Sequence, residues 1–220
     1  MSRPNVTSIA LALLLLLGIA HARTPSPVRL LALGDSFTIG TGGPPSLSFP
    51  ERLASRWRST GHAVTVLNLA RNGYTTDNLI DEELPRAKAF APTLVTLAIG
   101  ANDIVQGRDG EAYRERVRRI FAGLASAGIA ARAIVVLPQP AWWRSPTAAA
   151  FGSPADFRAR IARCNDVLRE ETMHVGARWM DLSPIMEREA AAQQLADDGL
   201  HPSAIAYDEW AAELARALLD

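Results

Sequence analysis

Apolar residues are distributed along this chain in two alternating patterns. Short runs at 28–33, 63–69, 93–99, 132–137 and 177–181 are apolar almost throughout. Continuous apolarity over such lengths predicts strands buried on both faces of a sheet. Longer stretches at 49–59, 76–88, 110–126, 155–172 and 204–219 carry apolar residues every three or four positions. That spacing predicts helices with one face turned to a core, several opening on a polar capping residue. Strands alternating with helices pair in parallel through crossovers. The predicted fold class is therefore α/β: a flavodoxin-like three-layer α/β/α sandwich around a five-stranded parallel sheet. Within 111–121 the charges of Arg114, Glu115, Arg116, Arg118 and Arg119 surround Val117, Ile120 and Phe121, which reads as a solvated helix face.

The first 22 residues break the rhythm. Arg3 precedes an apolar run from Ile9 to Ala20, and Ala20-His21-Ala22 supplies small residues at a cleavage position. This reads as a secretory signal, leaving one domain over 23–220 that is exported to the periplasm or medium. The run is shorter than the roughly 20 apolar residues a spanning helix needs, so no stable membrane insertion is expected after cleavage. Lys and Arg total 23 against 23 acids, and 48% of residues are hydrophobic. Loss of Arg3 leaves the domain at about −1, with no basic footprint for nucleic acid. Cys164 is the only cysteine, so no internal disulfide can form, and it reads as a small buried filler.

In a parallel sheet ligands gather beyond the carboxyl ends of the strands. The first strand runs into Gly34-Asp35-Ser36-Phe37-Thr38, which places a hydroxyl where backbone N–H groups are unpaired. Ser36 alone could be an ordinary cap; as a nucleophile it needs a base within reach. Three histidines follow the leader. His62 and His174 fall at amino ends of strands, whereas His201 lies in a loop after the last strand. Topology selects His201. In Asp197-Asp198-Gly199-Leu200-His201 the acid three residues back can turn to meet the imidazole, which makes Asp198 the orienting acid and Asp197 its reserve. Acyl transfer further needs donors for a developing oxyanion. Ala70-Arg71-Asn72-Gly73 after the second strand and Gly100-Ala101-Asn102-Asp103 after the third can supply them.

These residues resemble the SGNH, or GDSL-like, lipase and acylhydrolase family. Its four blocks are matched by Gly34-Asp35-Ser36, Gly73, Gly100-Ala101-Asn102-Asp103 and Asp198-Gly199-Leu200-His201, in family order, from Val28 to the C-terminus. The resemblance implies an ester hydrolase with Ser36 as nucleophile, His201 as base and Asp198 as its acid. It also implies an oxyanion hole made of the Ser36 and Gly73 amides and the Asn102 side chain. Phe37 stands where many members have Leu, a departure that is expected to leave the chemistry untouched.

Three rivals fit less well. An ordinary α/β-hydrolase elbow needs Gly-x-Ser-x-Gly, and the last position here is Thr38. Gly40, Gly42 and Gly43 build neither a dinucleotide fingerprint nor a P-loop, because Pro44 and Pro45 follow. A catalytically dead carbohydrate or lipid binder has Trp142 and Trp143 in its favour, since they could stack on a sugar or line an acyl groove, or simply anchor their loop. The chain shows no His-Glu-x-x-His or cysteine pair, and neither metal nor cofactor is expected. The expected substrates are small or short-chain carboxylesters, with lysophospholipids, thioesters and acetylated glycans as alternatives.

Overall fold

The computed structural model describes residues 26–218; the leader read at 1–22 and its cleavage site lie outside them. Strands β1 (Val28–Gly34), β2 (Val64–Asn68), β3 (Leu94–Ala98), β4 (Ile134–Val136) and β5 (Arg178–Trp179) form one parallel sheet in the order β2-β1-β3-β4-β5. Nine helices alternate with them among the described residues: α1 (Ser36–Ile39), α2 (Phe49–Ser59), α3 (Thr76–Asn78), α4 (Leu84–Phe90), α5 (Ala101–Val105), α6 (Glu111–Ser126), α7 (Pro154–His174), α8 (Ser183–Ala191) and α9 (Ala204–Leu218). Successive side chains leave opposite faces of a strand. Leu30, Leu94 and Val135 accordingly pack with Phe49, Trp57, Met186 and Trp210 of α2, α8 and α9. Leu31, Leu33, Val95 and Val136 pack on the other side with Leu79, Val117, Ile120 and Phe157. The outcome is the three-layer α/β/α sandwich, with its strand order reversing between β1 and β3, the place where such sheets bind ligands.

Several elements differ from the sequence expectation for local reasons. β2 and β5 are edge strands and only partly buried, so burial on both faces holds for β1, β3 and β4 alone. β4 starts late because residues 131–133 form a 3-10 turn. β5 stops after two residues because Asp181 accepts a hydrogen bond from the Ser183 amide and turns the chain into α8, an element the periodicity did not announce. The helix read at 76–88 is one helical segment interrupted by a π-turn over Leu79–Glu83. The charged face of α6 is tied down as well as solvated: Arg114 and Arg118 reach Glu171 at 2.8 and 3.0 Å, and Arg116 reaches Asp77 at 2.8 Å. No helix of the described residues is long and apolar enough to cross a membrane.

Candidate active site

The turn after β1 is held from several directions. Gly34 has φ +155°, and a Cβ there would fall 2.2 Å from the Ala98 carbonyl oxygen and 2.3 Å from Thr38 Oγ1. No larger residue fits that position. The Asp35 carboxylate accepts from the Phe37 amide at 3.0 Å and caps α1, of which Ser36 is the first residue. Thr38 is pinned from the neighbouring strand, its carbonyl accepting from Asn68 Nδ2 at 3.0 Å. Ser36 is 8% exposed, enough for contact with a ligand but not free to wander.

His201 approaches from the far edge of the sheet, because the loop after α8 carries it back over the strand ends. Its Nδ1 lies 2.7 Å from Asp198 Oδ2, while Asp198 Oδ1 accepts from the Leu200 and His201 amides at 2.9 Å each. Partial burial pushes the Asp198 carboxyl upward, but the His201 and Leu200 amides together with the imidazole outweigh it and hold the group below the usual carboxylate range. Asp197 is exposed, and the carboxylate on the imidazole is that of Asp198. The Phe37 ring stands 5.1 Å from the His201 ring, so the departure at Phe37 lies directly against the proposed base.

Ser36, Asn102 and His201 line one cleft with Phe37, Val105, Trp142, Phe151 and Leu200. Asn102 Nδ2 donates to the Tyr74 carbonyl at 3.0 Å; one amide hydrogen is used there and the second is left for a ligand. Gly73 precedes Tyr74 in that tethered loop and has φ +80°, but it is not among the residues lining the cleft. The two tryptophans separate. Trp142 is buried against Phe157 at 4.8 Å and lines the cleft, whereas Trp143 lies under the Arg144 and Arg158 guanidiniums, 4.2 and 5.4 Å away, and outside the cleft. Trp143 thus stands away from the Ser36 cleft. The tryptophan loop instead clamps the base: Ser145 Oγ donates to the Gly199 carbonyl at 2.6 Å and Thr147 Oγ1 to the Asp198 carbonyl at 2.9 Å. Neither hydroxyl carries a sequence signal, since both depend on contacts about fifty positions away.

Three buried acids lie beneath the strand ends. Burial pushes Asp35 up to about 7 against the Phe37 hydrogen bond, and Glu83 up to about 8 against one from the Gly34 amide. Burial also raises Asp103, which accepts from the Thr76 amide at 2.9 Å and from its hydroxyl at 2.5 Å. Cys164 is fully buried, and burial pushes its thiol up to about 12, leaving it inert at neutral pH. Beside the nucleophile turn a broader, open groove is lined by Gly40, Thr41, Gly42, Asn72, Arg71 and Arg86. Among the described residues no group of three His, Cys, Asp or Glu could hold a metal ion.

Comparison with known proteins points one way. Residues 32–209 match the model of the GDSL-like Lipase/Acylhydrolase family. An arylesterase of Vibrio mimicus is 33% identical over 99 residues, covering 45% of this chain and 50% of the relative, so the chain spans about half the length of that protein. Among solved structures, the psychrotrophic esterase EstA from Pseudoalteromonas superposes with a TM-score of 0.67 at 15% identity, covering 86% of this chain and 96% of the other. The acetylxylan esterase Axe2 of Geobacillus stearothermophilus does so at 0.66 and 17% identity, covering 86% and 93%. At such identities the two structures speak for the fold.

Proposed function

We propose that this chain, which belongs to the GDSL-like lipase/acylhydrolase family and is a carboxylic ester hydrolase, cleaves esters through an acyl-enzyme on Ser36. The observation that carries the reading is one cleft lined by Ser36, Asn102 and His201, with Asp198 2.7 Å from the far nitrogen of the imidazole. With Nδ1–H directed to Asp198, Nε2 is the nitrogen able to take the Ser36 proton as Oγ attacks the carbonyl carbon. The carbonyl oxygen then becomes an oxyanion, held by the Ser36 amide and the second Asn102 hydrogen, with the Gly73 amide as a further donor once the Tyr74 loop tethered by Asn102 meets the substrate. Collapse breaks the bond to the alcohol, which leaves with the proton from His201. Water repeats the sequence on the acyl-enzyme, and the acid is released.

The cleft is small and its walls are apolar, from Phe37, Val105, Trp142, Phe151 and Leu200. This favours short acyl chains, and the acetylxylan esterase whose fold the chain shares is named for such a group. A second reading concerns the leaving group: Arg71 and Arg86 beside the nucleophile turn favour an alcohol or thiol bearing phosphate or carboxylate. A p-nitrophenyl series from acetate through butyrate and octanoate to dodecanoate, run beside acetyl-xylan and a lysophospholipid, tests both. The expected result is a kcat/KM maximum at acetate or butyrate; a maximum at dodecanoate overturns the short-chain reading. Export belongs to the same proposal: protein recovered from a bacterial periplasm should begin at Arg23, and recovery of a form beginning at Met1 contradicts it.

A further inference from the structure

The helical stretch after β2 presents Leu79, Glu83 and Ala87 inward, every fourth position, and all three are buried. An acid at the centre of such a stripe is anomalous. It is carried by the π-turn Leu79–Glu83, a one-residue irregularity that is rare and occurs often at functional sites. Glu83 is 1% exposed, and its Oε2 accepts from the Gly34 amide at 3.0 Å. That amide lies beyond the last rung between β1 and β2, Ala32 with Asn68, so the sheet provides it no acceptor on that side and a buried donor must find one elsewhere. Gly34 is followed by Asp35 and Ser36. Glu83 Oε1 is buried without a hydrogen-bond partner, an expensive arrangement for a carboxylate unless something is gained.

We infer that Glu83 is a positioning residue for the nucleophile: from the π-turn it fixes the Gly34 amide and so keeps the Ser36 turn in register. With both Glu83 and Asp35 ionised, two like charges stand in buried surroundings, which loosens the turn. The groups facing this pair are few. Arg71 in the loop after β2 favours ionisation of Glu83, while Asp35 and its own neighbour Glu82 oppose it. Asp35 in turn faces Asp103 of α5 and lies near the hydroxyls of Tyr113 and Tyr207. Burial lifts both acids into the range of about 7 to about 8, so the second proton leaves at mildly alkaline pH.

The inference rests on the Ser36 mechanism, and Ser36→Ala run alongside shows whether that mechanism holds. Glu83→Ala and Glu83→Gln are assayed on a short-chain ester, with competent molecules counted by fluorophosphonate titration. Glu83→Ala should lower kcat about tenfold with KM within about twofold, as expected when a nucleophile is misplaced rather than a substrate contact removed. Glu83→Gln keeps an oxygen for the Gly34 amide and cannot ionise. It should match wild type near pH 7 and lack the loss of kcat that wild type shows as pH rises through about 8. Glu83→Ala with wild-type kcat overturns the positioning role. An alkaline loss in Glu83→Gln equal to that of wild type overturns the charge coupling, and this variant decides alone if Glu83→Ala fails to fold.

Discussion

The two halves of the proposed catalytic machinery are anchored in opposite ways. The nucleophile turn, 34–40, grows out of the central strand β1 and is fixed by contacts that water scarcely reaches: the Gly34 fit against Ala98, the Asp35 cap, and Glu83 on the Gly34 amide. The base loop, 194–203, follows α8 and is fixed near the surface. Its ties are the Asp198 carboxylate, 38% exposed, the Ser145 and Thr147 hydroxyls, and an isolated bridge between Leu195 and Pro202. Burial gives the nucleophile a rigid address, and hydrogen bonds give the base an adjustable one. The half that can yield is therefore the base loop, since stability is lowest where backbone ties are few and solvated.

The deepest break in this comparison is at its junction. His201→Ala should lower kcat by about 10⁶-fold and Asp198→Ala by about 10⁴-fold, the scale on which triad members act together. Steady-state rates on one short-chain ester measure both. Asp197→Ala should behave as wild type, and a greater loss there than in Asp198→Ala would reassign the acid. Asn102→Ala should cost about 10²- to 10³-fold in kcat with little change in KM, the loss expected for one oxyanion donor. A variant with lowered melting temperature and unimpaired kcat would instead make Asn102 a tether for the Tyr74 loop alone.

A smaller effect separates the two halves by pH. Asp35 and Glu83 are raised above their unfolded values, so the native state holds protons that the unfolded chain releases. Their contribution to stability is complete below the ordinary carboxylate range and is lost as pH climbs to about 8. Asp198 is lowered, so its contribution is present above the ordinary range and lost as pH falls through its folded value. Hydrogen exchange should accordingly show the 34–40 amides loosening toward alkaline pH and the 198–201 amides loosening toward acid. The same pH response in both segments would remove the distinction. The smallest effect on turnover belongs to the clamp: Ser145→Ala with Thr147→Ala should lower kcat by about tenfold or less, with a modest fall in melting temperature because Ser145 Oγ also accepts from the buried Ala148 amide at 3.2 Å.

How much of this could be read in the sequence follows from the same contrast. The parallel sheet and the strand-end placement of Ser36 and Asn102 were legible because apolar runs and turn residues are local signals, whereas His201 reaches the site from beyond α8 and not from the end of β5 itself. Asp198 was legible because it lies three residues from its partner. The tie of Glu83 to Gly34, of Phe37 to His201 and of Ser145 to Gly199 spans from 49 to 164 positions, and no local pattern marks it. The π-turn passed as regular helix because its hydrophobic stripe continues at every fourth residue, and the acid within the stripe was the available clue. Helix α8 went unread because Ser183-Pro184 resembles a turn, although proline within the first turn is a normal way to begin a helix. Trp143 shows the converse: a conspicuous residue type whose ring is paired with the Arg144 and Arg158 guanidiniums, away from the Ser36 cleft.

The central claim, that Ser36 attacks the ester, is tested most directly by treating the folded protein with a fluorophosphonate and locating the adduct by peptide mass spectrometry. The account predicts a single adduct on Ser36, loss of esterase activity in proportion to labelling, and no adduct in Ser36→Ala. An adduct on another residue, or full activity after Ser36 has been labelled, would contradict it.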